Sequence, residues 1–219
     1  MNVQLLAHTP APEQLVAASA KLCYSAASIA DLAAIEADKA AEFIEKLPEA
    51  HQSPFEHVSF TFGIEGVSRA MLAQITRHRI ASFSVQSQRY VDMSDGVGYV
   101  IPESIEQNPE ARDVFDAFMR GIDTLYTYLR SCGIPAEDAR FILPNACHTQ
   151  MIVTMNAREL MHFFSLRCCK RAQWEIRAVA DEMLRLCKEV APEIFAKAGP
   201  GCVRGHCPEG KGGCKHETD

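Results

Sequence analysis

No run of apolar residues in this chain approaches the roughly 20 that a helix needs to span a bilayer, which argues against a helical membrane protein. The N-terminus, Met1-Asn2-Val3-Gln4-Leu5-Leu6-Ala7-His8, has no basic region ahead of its short apolar stretch, so it does not read as a secretory leader. The chain reads as cytoplasmic. An overall basic field is also missing: the formal net charge is -6, so any nucleic-acid role would have to come from a local patch. Neither a Gly-rich dinucleotide fingerprint nor a paired CxxC metal pattern occurs, and no internal repeat precedes the C-terminal tail. The 9 cysteines form an odd set without regular spacing. Six of them, Cys23, Cys132, Cys147, Cys168, Cys169 and Cys187, read as small buried apolar residues in a reducing compartment.

What is present is ordinary for a protein with a substantial core: 219 residues, 47% hydrophobic and 23% charged. One domain over residues 1–198 is expected, followed by a Gly/Cys-rich tail over 199–219. Val3 to Leu6 suits a short strand, and Pro12 suits the first turn of a helix running through Leu22. A second helix is expected to carry Leu32, Ile35, Phe43, Ile44 and Leu47. Val58, Phe60, Phe62 and Ile64 alternate with smaller or polar residues, the period of a half-buried strand. A helix with Val114, Phe118, Ile122, Leu125 and Leu129 on its core face should end near Cys132-Gly133. Met151, Val153 and Met155 mark another strand leading to Asn156, which with Glu159 has the form of a capping box. A last long helix runs from Ile176 to before Pro192. Strands joined by helices, with one basic loop, give a mixed α/β (α+β) fold class.

The richest segment is Arg77-His78-Arg79-Ile80-Ala81-Ser82-Phe83-Ser84-Val85-Gln86-Ser87-Gln88-Arg89-Tyr90. It follows an amphipathic stretch carrying Val67, Ala70, Met71 and Ile75. Guanidinium forks grip phosphate through paired hydrogen bonds, and serine hydroxyls with turn amides add donors. A solvated helix end explains the arginines alone but not the serines crowded behind them.

Arg-His-Arg-x-x-Ser at Arg77 to Ser82, followed by Ser-x-Arg-Tyr at Ser87 to Tyr90, resembles the signature of flavin-dependent thymidylate synthases. Further blocks match in the family's order: Ser53-Pro54-Phe55-Glu56-His57, Arg140-Phe141-Ile142-Leu143-Pro144, Asn156 through Met161 leading to Leu166-Arg167, and Ala172 through Ile176. The resemblance implies a single-domain enzyme that methylates dUMP to dTMP with methylenetetrahydrofolate as carbon donor and reduced FAD as hydride donor. NADPH would serve as reductant and transient visitor. The resemblance further implies that no enzyme cysteine attacks the pyrimidine, that no metal is needed, and that the assembly is a homotetramer.

Carried over by position, the resemblance assigns Gln74, Arg77, Val85, Gln86, Ser87, Gln88, Arg89, Arg140 and Arg167 to the nucleotide. Arg167 is the catalytic residue, polarising the pyrimidine on its N3 side. Ser53, Arg77, His78, Arg79, Val85, Asn156, Arg158 and His162 fall to the flavin, and His51 to the folate and nicotinamide region. Two positions depart from the pattern. Val85 stands where a polar side chain is common, so only its backbone can make a contact. His162 replaces an asparagine and reads equally as a core histidine. Competing readings are another uridylate-handling flavoprotein, or a basic-loop RNA-binding protein whose Cys202, His206, Cys207 and Cys214, with His216 spare, hold zinc.

Overall fold

The computed structural model of the chain describes residues 1–48, 51–204 and 207. Its elements follow in chain order as β1 (Asn2–His8), α1 (Pro12–Leu22), α2 (Ile29–Ala33), α3 (Ala37–Glu45), β2 (Ser59–Ser68), α4 (Arg69–Ile75) and β3 (Ala81–Val85). Then come α5 (Glu103–Glu106), α6 (Pro109–Ser131), α7 (Ala136–Ala139), β4 (His148–Asn156), α8 (Ala157–Arg167), α9 (Trp174–Val190) and α10 (Pro192–Phe195). The strands form one four-stranded sheet in the order β1-β2-β4-β3. Among the described residues no helix is long and apolar enough to cross a membrane.

The chain divides into two compact units, each made of discontinuous segments. The first holds Met1–Asn2, Ile64–Arg77 and Ser84–Ile152; the second holds Val3–Gly63, His78–Phe83 and the described residues from Val153 onward. β2, β3 and β4 each pass from one unit to the other part-way along their length.

Local chemistry explains most element ends. Pro12 occupies the first turn of α1, where its missing N–H costs nothing. Ser68 caps α4 by accepting from the Met71 N–H, and Gly133 ends α6 at φ 82, a left-handed conformation that glycine adopts without a Cβ clash. The helix expected from Leu32 to Leu47 is in fact two. Ser28 and Asp31 cap α2 reciprocally, and Glu36 adopts an extended conformation (ψ 150) that interrupts the helix before α3.

In the second unit Phe60 and Phe62 of β2 are fully buried, and an aromatic chain runs from Phe60 to Phe195 (ring centroids 5.3 Å), Phe164 (6.0 Å) and Phe163 (5.7 Å). Full burial of such side chains is worth about 1.5–3 kcal/mol each. That gives α8 a rigid seat. In the first unit α6 turns Met119 and Tyr126 inward, with Phe115 packed against Val97 and Cys147. Val114, Phe118 and Leu125, expected on the core face, are instead exposed. α6 carries apolar residues on two faces, and periodicity alone does not say which one turns inward. A second difference concerns the basic segment expected as a loop: Ala81–Val85 is strand β3.

Candidate functional site

The candidate residues sort by unit. Gln74, Arg77, Val85, Gln86, Ser87, Gln88, Arg89 and Arg140 belong to the first; His51, Ser53, His78, Arg79, Asn156, Arg158, His162 and Arg167 belong to the second. All the nucleotide candidates except Arg167 therefore share one unit, and all the flavin candidates except Arg77 and Val85 share the other.

In the first unit α4 ends at Ile75 with Thr76 as its C-cap, and Arg77 follows with its N–H on the Gln74 carbonyl (3.4 Å) and its side chain exposed. β3 delivers the half-buried Val85 and then Gln86, whose N–H donates to Gln150 O at 3.0 Å. The chain then turns back. Ser87 O accepts from the N–H groups of Tyr90 (3.3 Å) and Val91 (3.0 Å), while Ser87 Oγ accepts from the Arg89 N–H at 3.2 Å. Serine thus shapes the turn with its own hydroxyl.

Two arginines far apart in sequence meet at one residue. Arg89 Nε donates to Glu137 Oε2 at 2.6 Å, and Arg140 Nε donates to the Glu137 carbonyl at 3.1 Å. Arg140 gets there because α7 stops at Ala139 and runs directly into the 3-10 turn Arg140–Ile142. Arg89 also lies over the Tyr90 ring, 5.2 Å from its centroid. Next to Arg89 in sequence, Gln88 is 8% exposed, and its Nε2 is buried with no hydrogen-bond partner among the described residues. A buried donor left unpaired costs about 1–3 kcal/mol. An acceptor supplied by a ligand would recover that cost.

In the second unit β4 runs straight into α8. Asn156 Oδ1 accepts from the Glu159 N–H at 2.8 Å, so the expected helix cap forms. Its second half does not: the Glu159 carboxylate turns away and accepts from His78 Nδ1, with Nδ1 and Oε1 2.9 Å apart. On the far side of the same ring Arg167 Nε donates to His78 Nε2 at 3.1 Å. His78 is 5% exposed and Glu159 7% exposed, and the imidazole lies edge-on to Phe163 with centroids 4.9 Å apart. Burial is the main influence on His78 and holds its pKa below the ordinary 6.5; the Glu159 hydrogen bond opposes it, and the Arg167 charge adds to it. His162, the possible core histidine, is exposed, with its ring 5.9 Å from that of His78.

The remaining flavin candidates lie nearer solvent. Ser53 opens the 3-10 turn Ser53–His57, and Arg79 is exposed after His78. Arg158 pairs with Glu56 of that turn. His51 meets Tyr24 edge-on at 5.5 Å, with Tyr24 Oη 3.5 Å from His51 Nδ1. No short motif marks Glu137 or Tyr24 as a site residue, and the spacing from Asn156 marks Glu159 only as a cap.

The cysteines divide. Cys147, Cys168 and Cys187 are buried as expected, whereas Cys23 and Cys132 are exposed. Burial pushes the Cys147 thiol up to about 11 and those of Cys168 and Cys187 higher still, so none of the three is poised as a thiolate. Among the described residues no cluster of three or more metal-ligating side chains occurs. His206, Cys214 and His216 lie outside the described residues.

The arrangement of sheet and helices is shared with two solved structures. One is a flavin-dependent thymidylate synthase from Helicobacter pylori complexed with FAD and dUMP (TM-score 0.74, 23% identity, 91% of this chain and 100% of that one). The other is a UMP/dUMP methylase from Streptomyces cacaoi bound with 5-Br dUMP (TM-score 0.78, 24% identity, 89% and 93%). They define the class as the mixed α/β fold of these enzymes. Sequence narrows it further. The family model described as thymidylate synthase complementing protein matches residues 4–193. A flavin-dependent thymidylate synthase of Geobacter sulfurreducens is 56% identical over 213 residues, covering 96% of this chain and 92% of that one. One from Clostridium tetani is 46% identical over 232 residues (98% and 93%). The chain belongs to the flavin-dependent thymidylate synthase family and is an enzyme.

Proposed function

We propose that this enzyme converts dUMP to dTMP by reductive methylation, with methylenetetrahydrofolate as carbon donor, FAD as the resident redox group and NADPH as its reductant. The observation that carries the nucleotide half is the meeting of Arg89 and Arg140 at Glu137, next in sequence to the buried, unpartnered amide of Gln88. A carboxylate already sits on Arg89, which marks this as a place where an anion is welcome. Phosphate suits the same donors better, because it brings more charge and more acceptor oxygens. Gln74, Arg77, Gln86 and Ser87 complete the nucleotide set, and Val85 contributes through its backbone.

The donor set of the second unit fits a flavin dinucleotide: Arg79 and Arg158 are basic and partly or wholly exposed, and Ser53 adds a hydroxyl. When bound, the reduced flavin supplies the hydride that completes the new methyl group. The side chains of His78 and Asn156 are engaged within the chain, so contacts to flavin at these positions fall to the backbone and to the ring or amide edge. His162 faces solvent and is available, and His51 with Tyr24 offers an aromatic wall to the folate or nicotinamide.

Uracil C5 is a poor nucleophile until charge is drawn into the ring. Arg167, permanently protonated, stabilises the negative charge on the N3 side of the pyrimidine that makes C5 nucleophilic, and C5 would then bond to the methylene carbon as that carbon's bond to a folate nitrogen breaks. A thiol is not needed for this, and the raised buried thiols suit a mechanism that leaves cysteine out. Ser87 is assigned a positioning role: His78, the base that the motif offers it, has both ring nitrogens engaged within the chain.

The enzyme is proposed to be a cytoplasmic homotetramer, with residues 1–198 forming the catalytic domain. The exposed stripe Val114, Phe118, Leu125 and Tyr128 along α6 supports association, since a face this apolar is costly in water. No observation favours RNA as partner. Incubating flavin-loaded protein with dUMP, methylenetetrahydrofolate and a reductant tests the reading, with dTMP expected only when all three are present.

A further inference from the structure

The hydrogen bonds at His78 run in one direction. Arg167 Nε always carries a proton and can only donate, so His78 Nε2 must offer its lone pair at 3.1 Å. Nδ1 then holds the ring's proton and donates it to Glu159 Oε1 at 2.9 Å. Glu159, at the third position of α8, is buried and spends its carboxylate on this contact rather than on the Asn156 N–H. A carboxylate buried to 7% exposure gives up water for a structural reason. Without it the imidazole would be free to place its proton on Nε2, and that tautomer meets Arg167 with N–H against N–H.

We propose that Glu159 is a positioning residue for Arg167, acting through His78: it fixes the imidazole tautomer whose Nε2 accepts from Arg167, and so fixes the direction of the guanidinium. This rests on the reading of Arg167 as the group that stabilises charge on the pyrimidine. Among the described residues the rings of His162 and Phe163 also face the imidazole. All of them stand on α8, so one helix carries both the arginine and the residues that aim it.

Four variants of the full-length, flavin-loaded enzyme test this: Glu159→Leu, Glu159→Gln, Arg167→Ala and the Glu159→Leu/Arg167→Ala pair. Glu159→Leu should lower kcat by about 10- to 100-fold, the scale of a misplaced reacting group, with little change in bound FAD. The amide oxygen of Glu159→Gln still accepts from Nδ1–H, so this variant should recover most of kcat. It loses the negative charge that favours imidazolium, so the acid limb of its kcat/KM profile should move to lower pH. In the pair the two losses should not multiply, because both act through one guanidinium. If Arg167→Ala is crippled while Glu159→Leu turns over normally, the proposal is wrong and the reading of Arg167 survives. If Arg167→Ala itself is nearly normal, that reading fails first. Should Glu159→Leu not fold, the Gln variant decides: an unmoved acid limb overturns the proposal.

Discussion

Glu137→Gln should tighten dUMP binding. The Glu137 carboxylate accepts from Arg89 Nε at 2.6 Å, and a phosphate taking that donor must displace it. The side chains are 53% and 46% exposed, which places the pair among solvent-screened ion pairs worth about 0.2–1 kcal/mol. At about 1.4 kcal/mol per tenfold, removing that competition lowers the dUMP Kd by about 1.4- to 5-fold. Arg140 is held by the Glu137 backbone carbonyl, which the substitution leaves in place, so the second guanidinium should stay put. Titration calorimetry of flavin-loaded protein with dUMP reads the effect, and deoxyuridine, lacking phosphate, serves as control. The gain should appear for dUMP alone and shrink at high salt, where exposed charges are screened. Weaker dUMP binding by the variant would refute the reasoning and make Glu137 an orienting partner of Arg89 instead of a competitor.

Arg167→Ala should retain FAD but slow dTMP formation by about 100-fold or more, the usual loss when a charge-stabilising contact is removed; near-normal single-turnover rates would remove Arg167 from the chemistry. Gln88→Leu should leave urea stability unchanged or raise it by up to about 1 kcal/mol, since the buried Nε2 has no described partner to lose, while the KM for dUMP rises. A destabilised variant with an unaltered KM would mean the amide serves the fold alone. His78 gives stability a pH dependence of definite sign. Its folded-state pKa lies below the ordinary 6.5, so below that pH the unfolded chain binds a proton that the folded one does not, and stability should fall as pH drops. Comparing the pH dependence of urea midpoints for wild type and His78→Gln isolates this contribution, and identical slopes would contradict it.

Local signals in the sequence proved sound where the structure depends on neighbours in the chain. Pro12, Asn156 and Gly133 mark helix ends by chemistry confined to one turn, and the alternation through Phe60, Phe62 and Ile64 is that of β2. The ordered blocks also led to the right family. Other features were illegible for physical reasons. β3 is hard to see because Ser82 and Ser84 face outward and give it the composition of a loop. α6 has two apolar faces, and choosing between them requires knowing what lies on each side. Glu159 looked like a cap residue because its separation from His78 is 81 positions and no periodicity spans that. Glu137 meets Arg89 across 48 positions for the same reason. The sequence marks Arg89 as a nucleotide residue, but nothing in it marks the acid that holds its guanidinium.

The most direct test of the central claim is single-turnover analysis of the FAD-loaded, chemically reduced enzyme with dUMP and methylenetetrahydrofolate, following nucleotide products by chromatography and flavin oxidation by its absorbance. Stoichiometric dTMP appearing as flavin oxidises, and only when both substrates are present, is the predicted result. Flavin oxidation without dTMP, in folded and fully flavin-loaded protein, would contradict it.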